Sequence, residues 1–200
     1  MELSLSRRSF IRLGALLAAA TATMPLSILA STQKTRGIKG HKAPKLEVSH
    51  WIDGEGKSQK PFSLAAHKGK WVYLKCFQEW CPACHSIGFP NLQKLVAAFP
   101  NNDVIVPAVI QTTFEGFSTN TADALRKNQL RYDLNLPFGH DPGDVNAPHG
   151  SYNRYPKTMA AYRTGGTPWV ILINPQGVVV FNDFHINIDN LINYLNKKAA

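Results

Sequence analysis

Two cysteines with two residues between them, in Trp80-Cys81-Pro82-Ala83-Cys84, form the most reactive pair this sequence offers. On a helix they lie about one turn apart, close enough to bridge as a disulfide. A β-rich run precedes them and a helical pattern follows, which puts Cys81 at a helix N-terminus. Unpaired backbone N–H groups and the helix dipole favour a thiolate there, so Cys81 is the expected attacking sulfur. Cys84, one turn inward and more buried, is the expected resolving thiol. Such a pair performs thiol–disulfide exchange with no cofactor beyond its own Cys81–Cys84 disulfide. The competing reading is half of a zinc site; a structural zinc normally takes four ligands, and only Cys76 remains to join.

The second place of interest is Gly165-Gly166-Thr167-Pro168-Trp169, at the start of an apolar run. Proline is tolerated as the first residue of a strand, and a cis bond there is a deliberate feature. A cis Thr167–Pro168 bond beside Cys81 would leave the Thr167 backbone open to pair with an extended substrate segment. Trp80 and Trp169 are expected to flank the disulfide as an apolar contact surface suited to a protein substrate.

These residues need a frame. Residues 46–51 and 61–64 read as two short strands around a turn, and 70–77 as a central strand. A helix is expected from near Cys81 to about Ala98, with Phe89, Leu92, Leu95, Val96 and Phe99 at helical spacing. Pro82 suits its first turn, whereas Pro90 should kink it. A second buried strand follows at 104–110, a helix at 119–132, a brief strand at 136–139 and a turn-rich loop from 141. A helix near 157–162 leads to a hairpin of 169–173 and 178–181. The last helix carries Ile188, Leu191, Ile192 and Leu195 on one face. Alternating strands and helices that end in a hairpin and a helix imply an α/β sandwich with a mixed central sheet flanked by helices.

The chain has 200 residues, 44% hydrophobic and 18% charged, which excludes wholesale disorder. Three cysteines are too few for a disulfide-stapled scaffold. The formal charge of +9 suggests nucleic acid until it is located. Arg7, Arg8 and Arg12 lie in residues 1–30, and Lys34, Arg36, Lys39, Lys42 and Lys45 in 31–45, against the single acid Glu2. What remains is nearly neutral, so no nucleic acid partner is expected. Ser6-Arg7-Arg8-Ser9-Phe10-Ile11-Arg12 before an uncharged apolar run to Ala30 resembles a twin-arginine export signal. Ala20-Thr21-Ala22 or the stretch ending at Ala30 fits the cleavage rule. Uncut, the run is close to the minimum for spanning a bilayer and would anchor the chain. The expected division is a signal peptide at 1–30, a flexible basic lead-in at 31–45 and one domain at 46–200, working in an oxidising, periplasmic or otherwise exported compartment.

Taken together, "WCPAC" and "GGTPW", followed by "VILINPQGVVVF" and a terminal helix, resemble the thioredoxin-fold superfamily. Within it the chain is similar to exported TlpA/ResA-type thiol–disulfide oxidoreductases, which Pro61-Phe62-Ser63-Leu64 through Gly69-Lys70-Trp71-Val72 also match. The resemblance spans roughly residues 46–198. It implies a thioredoxin-like sandwich with an N-terminal strand extension and a strand–helix insertion before the cis-proline. It implies Cys81 as nucleophile, Cys84 as resolving thiol and Pro168 as the cis-proline after Thr167. It further implies protein thiol or disulfide substrates, a membrane redox partner and, by the family's habit, disulfide reduction.

Three positions depart from the pattern or tune it. Six residues before the nucleophile, thioredoxins carry a buried acid; Lys75 stands there, able to favour a thiolate but unable to be a carboxylate base. Glu79 is the nearest acid that could relay a proton, or else a solvated loop carboxylate. His85 could tune the pair or help to hold copper, or else be a polar neighbour. Cys76 reads as an inert core thiol. Phe114 and Phe117 either line a substrate groove or pack a loop. Copper carriers of the thioredoxin-fold Sco type, the alternative function, separate their cysteines by three residues. A peroxide reductase would need the Pro-x-x-x-Thr-x-x-Cys signature, which is absent.

Overall fold

The computed structural model describes residues 36–199 apart from 49 and 150. The expected signal peptide at 1–30, the cleavage sites expected in it and residues 31–35 lie outside the described residues. Six strands form one mixed sheet in the order β1-β4-β3-β2-β5-β6. They are β1 His50–Ile52, β2 Trp71–Phe77, β3 Ile105–Thr113, β4 Phe138–Pro142, β5 Trp169–Ile173 and β6 Val179–Asp183. Strands β2, β3 and β4 run parallel, and β1, β5 and β6 are antiparallel to their neighbours. The helices are α1 Phe89–Ala98, α2 Asp123–Tyr132, α3 Lys157–Tyr162 and α4 Ile188–Ala199. This is the expected sandwich, with β1 as the N-terminal extension and α2–β4 as the insertion.

Strands β2, β3 and β5 are covered on both faces, which is why they read as apolar runs rather than as alternating patterns. On one face Tyr73, Phe77, Val109 and Leu172 pack with Phe89, Leu92 and Leu95 of α1 and with Leu191 and Leu195 of α4. On the other, Val72, Leu74, Cys76 and Ile171 pack with Tyr162 of α3 and with Trp51 and Phe62. Among the described residues no helix is long and apolar enough to cross a membrane.

Several local expectations are corrected. Residues 61–64 form no strand; Pro61 has no N–H for a ladder, and Phe62 instead stacks on Trp51 ahead of a 3-10 turn at Leu64–His67. Strand β3 runs on to Thr113 because β4 pairs with it that far. Helix α2 starts at Asp123 because the Thr119 and Asn120 N–H groups are already bonded to Gly116 O. Pro90 produces a π turn, Cys84–Gly88, in place of a simple kink: Phe89 N–H reaches back to Cys84 O, and the widened turn makes room for a ring with no N–H to give.

Where it is described, the lead-in is tied to the domain by hydrogen bonds. Gly37 N–H bonds to Arg163 O, Gly40 N–H to Val179 O and Ala43 N–H to Gly177 O, and the Tyr162 hydroxyl donates to Pro44 O. Gly37, at φ 78°, sits so close to Asn182 O that a Cβ would be 2.8 Å from it. These backbone bonds are invisible to a reading based on charge and apolar periodicity.

Candidate active site

Strand β2 delivers the chain to a tight turn in which the Cys81 N–H bonds to Gln78 O at 3.2 Å. The helix then begins at Pro82. The Cys84 N–H points at both Cys81 O, 3.1 Å away, and Cys81 Sγ, 3.3 Å away. A negative charge on the Cys81 sulfur would therefore meet a backbone dipole directly. The two Sγ atoms are 2.7 Å apart. Cys81 is 4% exposed and Cys84 is fully enclosed. Burial pushes the Cys84 thiol up, to about 12, against the opposing pull of Lys75.

The register of β5 on β2 sets Trp169 opposite Cys76, which brings Pro168 alongside the end of β2. The Thr167–Pro168 bond is cis. Pro168 is buried and faces the π turn: a Cβ built on Gly88 would stand 3.4 Å from the Pro168 Cβ. Thr167 is half-buried beside it. Trp80 is 48% exposed and Ile87 is 45% exposed, so the cysteine turn carries apolar side chains turned to solvent. Ile87 was not expected from the sequence, because helical spacing gives no reason to expose it. Trp169 is a correction. It is wholly buried, its indole N–H bonds to Asn182 Oδ1, and its ring meets Phe184 edge-on. A strand residue whose neighbours on one face are all core cannot also offer a contact surface.

Glu79 and His85 are brought to the cysteine turn in a structural capacity. The Glu79 carboxylate accepts from Asn128 Nδ2 and from Lys127 Nζ at 3.0 Å, both on α2. Partial burial opposes its charge, but those bonds outweigh it and hold the carboxyl below its ordinary range. With a donor from α2 on each oxygen, Glu79 is tied to that helix and is not a solvated loop carboxylate. The Glu79 N–H bonds to Asn120 Oδ1 at 2.7 Å. His85 Nε2 lies 2.6 Å from Glu79 O, and its Nδ1 lies 2.7 Å from the Tyr132 hydroxyl. Because a carbonyl only accepts, Nε2 carries the proton, and in the neutral ring Nδ1 then accepts from the Tyr132 hydroxyl. His85 thus has no free nitrogen for copper. Asn120, Asn128 and Tyr132 complete this clamp; lying 36 or more positions from Cys84, they had no spacing signal.

Lys75 is 1% exposed on the face of β2 that carries Tyr73 and Phe77, directly behind the cysteine turn. Cys76 points to the opposite face, where burial foremost pushes its thiol well up, as expected of an inert core cysteine. Phe117 takes the Arg154 guanidinium over its ring at 5.7 Å, so it packs the loop between β4 and α3. That loop is held by Asp141, whose carboxylate accepts from the Lys157 and Thr158 N–H groups at the start of α3.

No curated protein matches the chain. Among solved structures it is similar to a thioredoxin-like superfamily protein, at 30% identity over 78% of this chain and 94% of that one, with a TM-score of 0.65. It is also similar to a thiol-disulfide isomerase from Corynebacterium glutamicum, at 26% identity, covering 78% and 95%, with a TM-score of 0.63. The thioredoxin domain of a thiol-disulfide oxidoreductase from Bacteroides vulgatus, 21% identical over 82% and 99% with a TM-score of 0.56, shares the fold. The AhpC/TSA family model matches residues 39–182, which span the cysteine turn and the cis-proline alike, and the chain belongs to that family.

Proposed function

We propose that this chain is an exported protein thiol–disulfide oxidoreductase of the TlpA/ResA type, acting as a disulfide reductase. The observation that carries the reading is the asymmetry of the cysteine pair. Cys81 stands at the rim of the helix start with an N–H on its sulfur, and Cys84 is enclosed 2.7 Å behind it. The Cys81 thiolate attacks a substrate disulfide, forming a mixed disulfide and releasing one substrate thiol. Cys84 then attacks Cys81 Sγ, the internal disulfide forms, and the second substrate thiol leaves. Two electrons pass to the substrate, so a membrane redox partner is needed to return them. Trp80 and Ile87 offer apolar contact to a protein substrate, and the Thr167 backbone offers strand pairing. Export rests on the twin-arginine leader, and the periplasm is the compartment it implies.

A redox titration of the chain in glutathione and dithiothreitol buffers, with thiols trapped and counted by mass, tests direction. A Cys81–Cys84 couple below the glutathione range is expected of a reductant. A couple near −120 mV, about the oxidising end of the known scale, would make it a disulfide donor instead. Cys84→Ser should trap substrates on Cys81, and Cys81→Ser should abolish exchange. Peroxide reduction is not favoured, because Leu74 and Gln78 stand where that signature places proline and threonine.

A further inference from the structure

Resolution poses a proton problem. Cys84 must become a thiolate to attack Cys81, yet it is enclosed and burial holds its proton on. The two side chains that a sequence reading would nominate as bases are spent: Glu79 on Asn128 and Lys127, His85 on Tyr132 and Glu79 O. What remains behind the cysteines is Lys75. Among the described residues its Nζ has no hydrogen-bond partner; it lies 4.6 Å from the Phe89 ring centre and so close to Gly88 that a Cβ there would collide with it.

Among the described residues, the groups whose negative charge would favour that ammonium are the cysteines. Its register neighbours are Val109 on β3 and Val170 on β5, and its face-mates on β2 are Tyr73 and Phe77. Among the described residues no carboxylate pairs with it, and Glu79 and His85 are turned to α2. Desolvation lowers its proton affinity, and the opposing influences are Cys84, then Cys76 and Cys81. A buried, unpaired lysine is the kind that works as a neutral amine.

We propose that Lys75 is the general base of the resolving step, holding the Cys84 proton while the Cys84 sulfur attacks. The inference rests on the exchange reading above. The proton passes from Cys84 Sγ to the neutral Nζ, bridged by rotation of the lysine stem or by one water, since the two make no hydrogen bond in the resting geometry. The Cys84 electron pair forms the bond to Cys81 Sγ, and the bond from Cys81 to the substrate sulfur breaks. The departing thiolate takes up the proton that the Lys75 ammonium releases. The dithiol is oxidised by two electrons and the substrate disulfide is reduced by two.

The reduced full chain mixed with 5,5′-dithiobis(2-nitrobenzoate) separates the steps. A first, concentration-dependent release of the coloured thiol reports attack by Cys81; a second, concentration-independent release reports resolution by Cys84. Lys75→Met and Lys75→Gln should leave the first phase within about two-fold of wild type and slow the second at pH 7 by about 10²-fold. The second phase should change from a shallow pH profile to one rising about ten-fold per pH unit, as hydroxide replaces the amine. A lysine that only filled space would not alter that profile. Two variants guard against one failing to fold, as read by circular dichroism. If either folded variant keeps the wild-type second phase and profile, the proposal is overturned. If Cys84→Ser, which cannot resolve, shows no mixed disulfide on Cys81 by mass, the exchange reading falls first.

Discussion

The close approach of Lys75 to Gly88 gives the sharpest test of the geometry behind the cysteines. Gly88 has ordinary helical angles, φ −66° and ψ −46°, so its backbone does not require glycine. Gly88→Ala should therefore stabilise the helix by about 0.5–1 kcal/mol if propensity alone decided. The new methyl group would meet Pro168 Cβ at an ordinary 3.4 Å but would strike Lys75 Nζ and stand 3.3 Å from its Cε, so the enclosed stem as well as its end would have to shift. Overpacking of this kind costs about 1–3 kcal/mol. The net expectation is a loss of up to about 2.5 kcal/mol in wild type. In a Lys75→Ala background the space is empty, and the same substitution should gain up to about 1 kcal/mol. The coupling between the two sites is then about 1–3 kcal/mol. Urea unfolding of the four oxidised proteins at one pH measures it, provided the denaturant slope is constant across the set. A coupling below about 0.5 kcal/mol would mean that the amine does not rest on Gly88.

Other expectations follow from the same contacts. Lys75→Met should be more stable than wild type at pH 6, as an unpaired buried group is removed. Because the folded lysine has the lowered pKa, the unfolded chain binds more protons. Wild-type stability therefore rises with pH between that pKa and about 10.4, and over that range the gap narrows by up to about 1.4 kcal/mol per pH unit. Urea titrations of the oxidised proteins should show this; a gap that widens would contradict it. Asn128→Ala should cost about 1–2 kcal/mol at pH 7 by leaving the Glu79 carboxylate short of a donor. Since the folded carboxyl has the depressed pKa, that difference should shrink as pH falls through it, which denaturation at pH 7 and pH 3 would reveal. Trp80→Ala should change stability by less than about 0.5 kcal/mol while raising KM for a protein substrate and sparing a small disulfide. Trp169→Phe should do the reverse, losing about 1–3 kcal/mol with exchange intact.

The sandwich, the cysteine turn and the proline that meets it were legible because each rests on a short local pattern. Apolar runs bounded by turn residues mark β2 and the β5–β6 hairpin, and Cys81-Pro82-Ala83-Cys84 marks a helix start. The errors fall where side chains and backbone bond across distance. Trp169 looked like a surface aromatic because only its sequence neighbour Pro168 was visible; its partner Asn182 arrives from β6. Glu79 looked free because the α2 side chains that hold it lie nearly fifty positions away. Lys75 was visible as a departure, but that nothing pairs with it could be seen only from the surroundings that β3, β5 and α1 provide.

The strip of chain that lies against β6 also decides how the molecule tolerates trimming. Its bonds, from Gly40 N–H to Val179 O, Val179 N–H to His41 O and Ala43 N–H to Gly177 O, occupy backbone groups that a terminal strand would otherwise offer to a second molecule. At the opposite margin, β1 is only three residues long and the chain folds back on it through the Gln59 N–H to Trp51 O bond. A processing cut near residue 30 leaves the strip in place. A cut beyond residue 44 would bare the start of β6 and turn a self-contained sheet into one that associates edge to edge as its concentration rises.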